Sequence, residues 1–226
     1  MKIFVIVIII LAIVIICYIL FFRKLYHSNS IVNGNLHIDA NKLMIVAHPD
    51  DELIFGGKEL LKEKGWKVIC VTNGTNKSGN RFSFCTADSR KKEFISVMDT
   101  LGCAYEIWDF EDNGFNSNWD SKSMTEQLTK AINEKKYKMV VTHNLNGEYG
   151  HVQHKKLSLL VHKLKPYNLY VFGYVNNEIL NNNPNLEPNE YFNKLDKILS
   201  LYSTQESIVK KYYTNILYQY ISKVDF

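Results

Sequence analysis

The chain has 226 residues, 46% of them hydrophobic and 22% charged, and a formal net charge of +4. That charge is too small for the strongly basic footprint of a nucleic-acid binder, and four cysteines without a C-x-x-C pair do not make a disulfide-built extracellular domain. The roughly 200 residues beyond the N-terminal segment suffice for one domain.

Residues 3–22, IFVIVIIILAIVIICYILFF, carry no charge. As a helix they would be ~30 Å long, enough to cross a bilayer core. Phe21-Phe22 runs into Arg23-Lys24 with no A-x-A pattern, so residues 1–25 read as a retained membrane anchor rather than a cleaved signal peptide. Lys2 and the α-amino group at one end, and Arg23 and Lys24 at the other, give the positive-inside rule little to choose between. The cysteine pattern favours a single-pass protein with a cytosolic domain. Asn73-Gly74-Thr75 and Asn76-Lys77-Ser78 have the form of glycosylation sequons. They fall where a glycan would obstruct the expected site and are read as chance. Residues 26–41 are polar and aperiodic and read as a linker; residues 42–226 form the domain.

Within the domain, apolar runs alternate with helical patterns. Strands are expected at 43–48, 66–74, 105–110, 138–143 and 169–175. Helices are expected at 52–65 with Gly65 past the end, 87–101 closed by Gly102, 123–136 with Ser123 and Glu126 spaced as a capping box, and 150–164. Two closing helices follow, at 188–202 and 205–224, the second packing on the core. Strands spaced by helices predict an α/β, Rossmann-like, mainly parallel sheet flanked by helices and preceded by an N-terminal transmembrane helix.

Open α/β sheets place their sites at the carboxyl ends of strands. There, after Leu43-Met44-Ile45-Val46-Ala47, stand His48, Asp50, Asp51 and Glu52. His48 and Asp51 are donors acceptable to zinc. About a hundred residues on, THNLNGEYGHVQH follows Met139-Val140-Val141 and supplies His151 and His154, three apart and so on one helical face. If that helix packs beside the first strand, His154 can join His48 and Asp51 around one metal, leaving an open fourth position. Glu52 is expected to cap the following helix or to bond a ligand residue. His143, at a strand end, either supports the site or fills the turn.

Ala47-His48-Pro49-Asp50-Asp51-Glu52 and His151-Val152-Gln153-His154 together resemble the PIG-L/LmbE family of zinc-dependent de-N-acetylases. Phe55-Gly56-Gly57, Ser89-Arg90-Lys91-Lys92-Glu93 with Leu101-Gly102, and Tyr202-Ser203-Thr204-Gln205 extend the resemblance over roughly residues 43–210. It implies hydrolysis of the acetamide of an N-acetylglucosaminyl conjugate with one zinc or other divalent ion. His48, Asp51 and His154 would hold the metal and Asp50 would be the base. His151 would stabilise the tetrahedral intermediate or act as acid. Arg90 occupies a position where the family's arginine contacts substrate, with an i,i+3 pair to Glu93 as the alternative. Asp112 and Asn113 lie in a loop placed to reach sugar hydroxyls.

The anchor, with the resemblance to the eukaryotic members, favours N-acetylglucosaminyl-phosphatidylinositol, a lipid-linked substrate of GPI-anchor-type biosynthesis in the endoplasmic reticulum membrane. Gly147-Glu148-Tyr149-Gly150-His151 looks closer to bacterial-type members, which act on other GlcNAc conjugates. A two-metal phosphoesterase would need more carboxylates, and a non-haem iron oxygenase an H-x-D pair in place of H-x-x-D. A membrane-tethered sugar-binding protein without activity is the non-enzymatic alternative.

Overall fold

The computed structural model describes residues 10–18, 31–74, 84–112, 114, 116–183 and 185–226. The chain divides into a short unit, Met1–Ser30, and a domain, Ile31–Phe226. In the first unit residues 10–18 are helical and exposed; the rest of the expected span 3–22 lies outside the described residues. Among the described residues no helix is long and apolar enough to cross a membrane.

The domain is a seven-stranded sheet with helices on both faces. The strands are β1 (Val32–Gly34), β2 (Lys42–Val46), β3 (Trp66–Thr72), β4 (Ala104–Phe110), β5 (Met139–Thr142), β6 (Leu169–Phe172) and β7 (Ile221–Lys223), in the order β1-β4-β3-β2-β5-β6-β7. The five inner strands run parallel, and the two edges, β1 on β4 and β7 on β6, are antiparallel.

Strand side chains alternate between faces, and here both faces are buried, as a parallel sheet requires. Met44 and Val46 of β2, with Val68 and Cys70 of β3, pack against helix α1 (Asp51–Lys62), helix α2 (Phe84–Leu101) and the C-terminal helices. Leu43, Ile45 and Ala47, with Ile69 and Val71, pack on the other side against α3 (Ser121–Ile132) and, beyond the short turn of α4 (Gly147–Gly150), α5 (Val152–Leu164). From β2 the chain proceeds outward through β3 and β4, then returns to lay β5 and β6 on the opposite side. The carboxyl ends of β2 and β5 therefore flank the point where strand order reverses, where ligands of open α/β sheets bind.

Helix α1 lies close on the sheet at Gly56. A Cβ on Gly56 would stand 2.6 Å from Met44 Cε and 2.9 Å from the Phe172 ring. Gly56→Val should therefore cost about 1–3 kcal/mol by overpacking, read as a lowered urea midpoint with an unchanged slope.

Several boundaries depart from the sequence reading. The expected linker contains β1, whose Gly34 lies where any Cβ would meet the Tyr105 ring; a three-residue edge has no periodicity to detect. Helix α3 is capped by Asp120, whose side chain accepts from Lys122 N, and not by Ser123. Ser123 Oγ instead accepts from Gln127 Nε2 within the helix. Helix α5 starts at Val152, so His151 is its N-cap, its Nδ1 accepting from Gln153 N, rather than a helical residue. The closing helix expected at 188–202 is α7, Phe192–Leu199, after the short α6, Asn177–Asn182.

The segment expected as one helix at 205–224 breaks into α8 (Glu206–Lys211), α9 (Tyr213–Leu217) and β7. The cause is two buried amides. Asn215 Nδ2 donates to Ile54 O at 2.7 Å while its Oδ1 accepts from Val175 N at 3.0 Å. Gln219 donates to Leu53 O and Ile54 O and accepts from Lys58 N. Buried amides need such partners, and reaching them on α1 takes the chain out of a continuous helix.

Candidate metal centre and active site

The loop after β2 brings His48, Asp50 and Asp51 to the reversal point, and α5 brings His154 to them. His48 Nδ1 lies 3.1 Å from Asp51 Oδ2 and 3.1 Å from His154 Nε2. The third side, His154 Nε2 to Asp51 Oδ2, is 3.2 Å. Ligand bonds of ~2.0–2.2 Å in a tetrahedral zinc site put donor atoms about 3.3 Å apart. The triangle thus has the spacing of three corners of a tetrahedron, and its nitrogen, nitrogen and oxygen donors suit zinc or a similar divalent ion. His151 offers a further nitrogen within 4.8 Å of His48 and His154, and His143 one within 4.8 Å of Asp51 and His154.

The surrounding bonds distinguish ligands from supports. Gln153 Oε1 accepts from His48 Nε2, so the His48 lone pair is at Nδ1, in the triangle. Gln153 Nε2 donates to Glu111 O and Asn116 O, tying the ring to the loop after β4. Glu148 Oε2 accepts from His154 Nδ1 at 2.6 Å and from His143 Nδ1 at 2.9 Å. The His154 lone pair is thereby directed to Nε2, the carboxylate–histidine arrangement typical around metal ligands. Burial would raise the Glu148 carboxyl, but His143 and His154 bring it down to about 2. His143 Nε2 accepts from Ala47 N at 3.0 Å. That lone pair is occupied by the backbone, so His143 is a support, wedged between the end of β2 and Glu148.

Glu148 reaches this position through backbone that sequence patterns do not reveal. Gly147 and Glu148 both have left-handed φ, +63° and +55°. Asn144 Oδ1 accepts from Glu148 N while Glu148 Oε1 accepts from Asn144 N, closing the loop between β5 and α5. Neither Glu148 nor Gln153 is picked out by the sequence reading, although both lie in the histidine-bearing stretch; a carboxylate just before an H-x-x-H pair was the available signal.

Asp50 also has positive φ, +124°, a conformation costing about 1–3 kcal/mol for a non-glycine residue. Glu52 holds it: its Oε2 accepts from Asp50 N and its Oε1 from the Tyr202 hydroxyl at 2.6 Å. Of the two roles expected of Glu52, helix capping and bonding within the site, these contacts match the second, and Tyr202 is a partner unseen in sequence. Burial raises the Asp50 carboxyl to about 7, opposed by Arg90. Arg90 Nη2 stands 3.7 Å from Asp50 Oδ2 and donates to Pro49 O, and its Nη1 donates to Asp112 Oδ2 at 2.9 Å. The alternative pair with Glu93 does not form; Glu93 accepts from Ser203 Oγ and from Thr204 N and Oγ1. Asn113 lies outside the described residues.

His48, Asp50, Asp51, Arg90, Asp112 and His151 line one cavity of about 160 Å³, with Ile54, Phe55, Tyr149, Gln205, Ile208 and Tyr212. All seven residues expected in the site are therefore together; His154 is buried behind the lining. Burial, then the His48 and His154 charges, lower His151 to about 3. Its Nδ1 is occupied by the cap bond, so neutral His151 carries its proton on Nε2. Arg90 opposes the rise of Asp50, so Arg90→Ala should move the acid limb of kcat/KM to higher pH. A pH–rate profile checks the sign.

A sheet of this order places a triad with metal-ligand spacing at its reversal point and a buried carboxylate beside it, an arrangement that suits metal-dependent hydrolysis. Residues 43–165 match the family described as PIG-L, GlcNAc-PI de-N-acetylase, and the chain belongs to that family of de-N-acetylase hydrolases. It is 49% identical over 206 residues to the uncharacterized protein L374 of Acanthamoeba polyphaga mimivirus, covering 89% of this chain and 88% of that one. It is 27% identical over 171 residues to the N-acetylglucosaminyl-phosphatidylinositol de-N-acetylase of Saccharomyces cerevisiae, covering 66% of this chain and 53% of the yeast protein. The match thus spans about half the length of that enzyme.

Among solved structures, the fold is similar to N,N'-diacetylchitobiose deacetylase of Pyrococcus horikoshii, with a TM-score of 0.57, 18% identity and coverage of 81% and 78% of the two chains. It is equally similar to GalB, the 4-carboxy-2-hydroxymuconate hydratase of Pseudomonas putida KT2440, at TM-score 0.57, 17% identity and coverage of 77% and 83%. The fold therefore serves more than one chemistry, and the reaction is argued from the site.

Proposed function

We propose that the protein removes acetate from an N-acetylglucosaminyl conjugate, with N-acetylglucosaminyl-phosphatidylinositol as its substrate. The observation that carries the chemistry is the triangle of His48 Nδ1, Asp51 Oδ2 and His154 Nε2, sides 3.1–3.2 Å, beside the buried Asp50. The yeast relative's activity supports the substrate.

His48, Asp51 and His154 hold one divalent metal, zinc being the ion the donor set suits. When bound, it supplies Lewis-acid activation of water and of the amide carbonyl. Asp50 takes a proton from the water whose oxygen attacks the acetamide carbon. His151 Nε2–H donates to the carbonyl oxygen as charge develops there, the role its neutral state fits better than general acid. The C–N bond breaks, the proton passes from Asp50 to the leaving amine, and acetate departs. Arg90 and Asp112 contact the sugar. Arg90 Nε, buried and without a hydrogen-bond partner among the described residues, is a donor still to be used.

The uncharged run 3–22 is a membrane anchor in this reading, with the domain on the cytosolic face. Two assays test it. Metal-loaded protein should release acetate faster from N-acetylglucosaminyl-phosphatidylinositol than from free N-acetylglucosamine, and equal turnover would remove the lipid-linked substrate. Carbonate-washed membranes should retain the full chain, and its release into the supernatant would remove the anchor.

A further inference from the structure

The chemistry of the amide leaves unused a pair of tyrosines in the cavity wall. Tyr149 and Tyr212, both lining the cavity, stack with centroids 4.7 Å apart and planes at 28°. The ammonium of Lys211 lies 5.2 Å from the Tyr212 centroid and 5.9 Å from that of Tyr149. An ammonium over aromatic faces is held by their quadrupoles. Its neighbour Lys210 is paired with Glu206; Lys211, exposed, pairs with no carboxylate among the described residues.

The cavity, about 160 Å³, is smaller than the ~300–1,000 Å³ of pockets that enclose a whole ligand. Groups attached beyond the acetamido sugar must therefore run over its rim. There Tyr149, 38% exposed, reaches the surface, and Lys211 adds a positive charge that no carboxylate among the described residues neutralises. Arg90 cannot serve the same end, because its Nη groups are committed to Asp112 and Pro49 O.

We propose that Lys211, held over the Tyr149–Tyr212 stack, is a specificity-determining residue that selects conjugates carrying a phosphate-type negative charge beyond the sugar ring. The proposal rests on the deacetylase reading above. It assigns to the rim a preference for charge, distinct from any preference for lipid.

The test uses the metal-loaded full chain and three substrates: N-acetylglucosaminyl-inositol, its soluble inositol phosphate, and N-acetylglucosaminyl-phosphatidylinositol. The soluble phosphate should be preferred over the neutral compound. In Lys211→Ala that ratio of kcat/KM should fall about tenfold, mostly through KM, the scale of one charge-assisted hydrogen bond. Lys211→Arg should keep the ratio, Lys211→Glu should depress it further, and added salt should compress it in the wild type. A ratio unmoved by Lys211→Ala and Lys211→Glu overturns the proposal while leaving deacetylation standing. So does a preference for the lipid substrate alone, which would make the lipid and not the charge the feature selected. Absence of acetate from all three substrates overturns the deacetylase reading itself, and this inference with it.

Discussion

Asp50→Asn should lower kcat by about 10²–10⁴-fold, the usual contribution of a general base, with the metal retained at wild-type stoichiometry. Asparagine keeps the shape of the side chain and the backbone held by Glu52, but cannot take a proton from water. None of the three donor atoms of the triangle belongs to Asp50, so metal content should not follow activity down. His154→Ala removes a donor and should lose metal and activity together. Zinc measured by mass spectrometry beside turnover separates the two variants. A metal-free Asp50→Asn protein, or one with most of its activity, would exchange the roles of the two aspartates.

Glu148→Ala should weaken metal binding by about 10–100-fold, as loss of an orienting carboxylate does elsewhere, and should also destabilise the fold. One carboxylate oxygen orients both His154 and His143, and the other accepts from Asn144 N. Its removal leaves buried donors without partners, at about 1–3 kcal/mol each. Competition with a zinc-binding dye and a denaturation curve read the two effects. Wild-type affinity with wild-type stability would show that the His154 ring is fixed by packing alone.

The contrast between Asp50 and Glu148 shows what a sequence of this kind exposes. Asp50, His48 and Asp51 follow directly on a strand whose apolar run is plain because both faces of the sheet are buried, so chemistry and position are read together. The inner strands are legible for the same reason. Glu148 acts through two left-handed residues and a loop closed by Asn144, features set by backbone angles and not by periodicity. The Arg90–Asp112 pair joins a helix to a loop, and the Tyr202–Glu52 bond spans nearly the whole domain; neither has a local signal. The edges β1 and β7 are three residues each, set by pairing with Tyr105–Ile107 of β4 and Tyr170–Phe172 of β6 rather than by a pattern of their own. The last expected helix fails because Asn215 and Gln219, polar positions in an apolar pattern, find their partners on α1.

The central claim is that one metal on His48, Asp51 and His154 serves hydrolysis of a sugar acetamide. The most direct measurement is acetate and free amine released from N-acetylglucosaminyl-phosphatidylinositol by the full chain, before chelation, after it, and after restoring zinc. Equal amounts of acetate and amine, lost on chelation and recovered with about one equivalent of zinc, are the expected result. Undiminished release from fully chelated protein, or no release from protein carrying its metal, would contradict it.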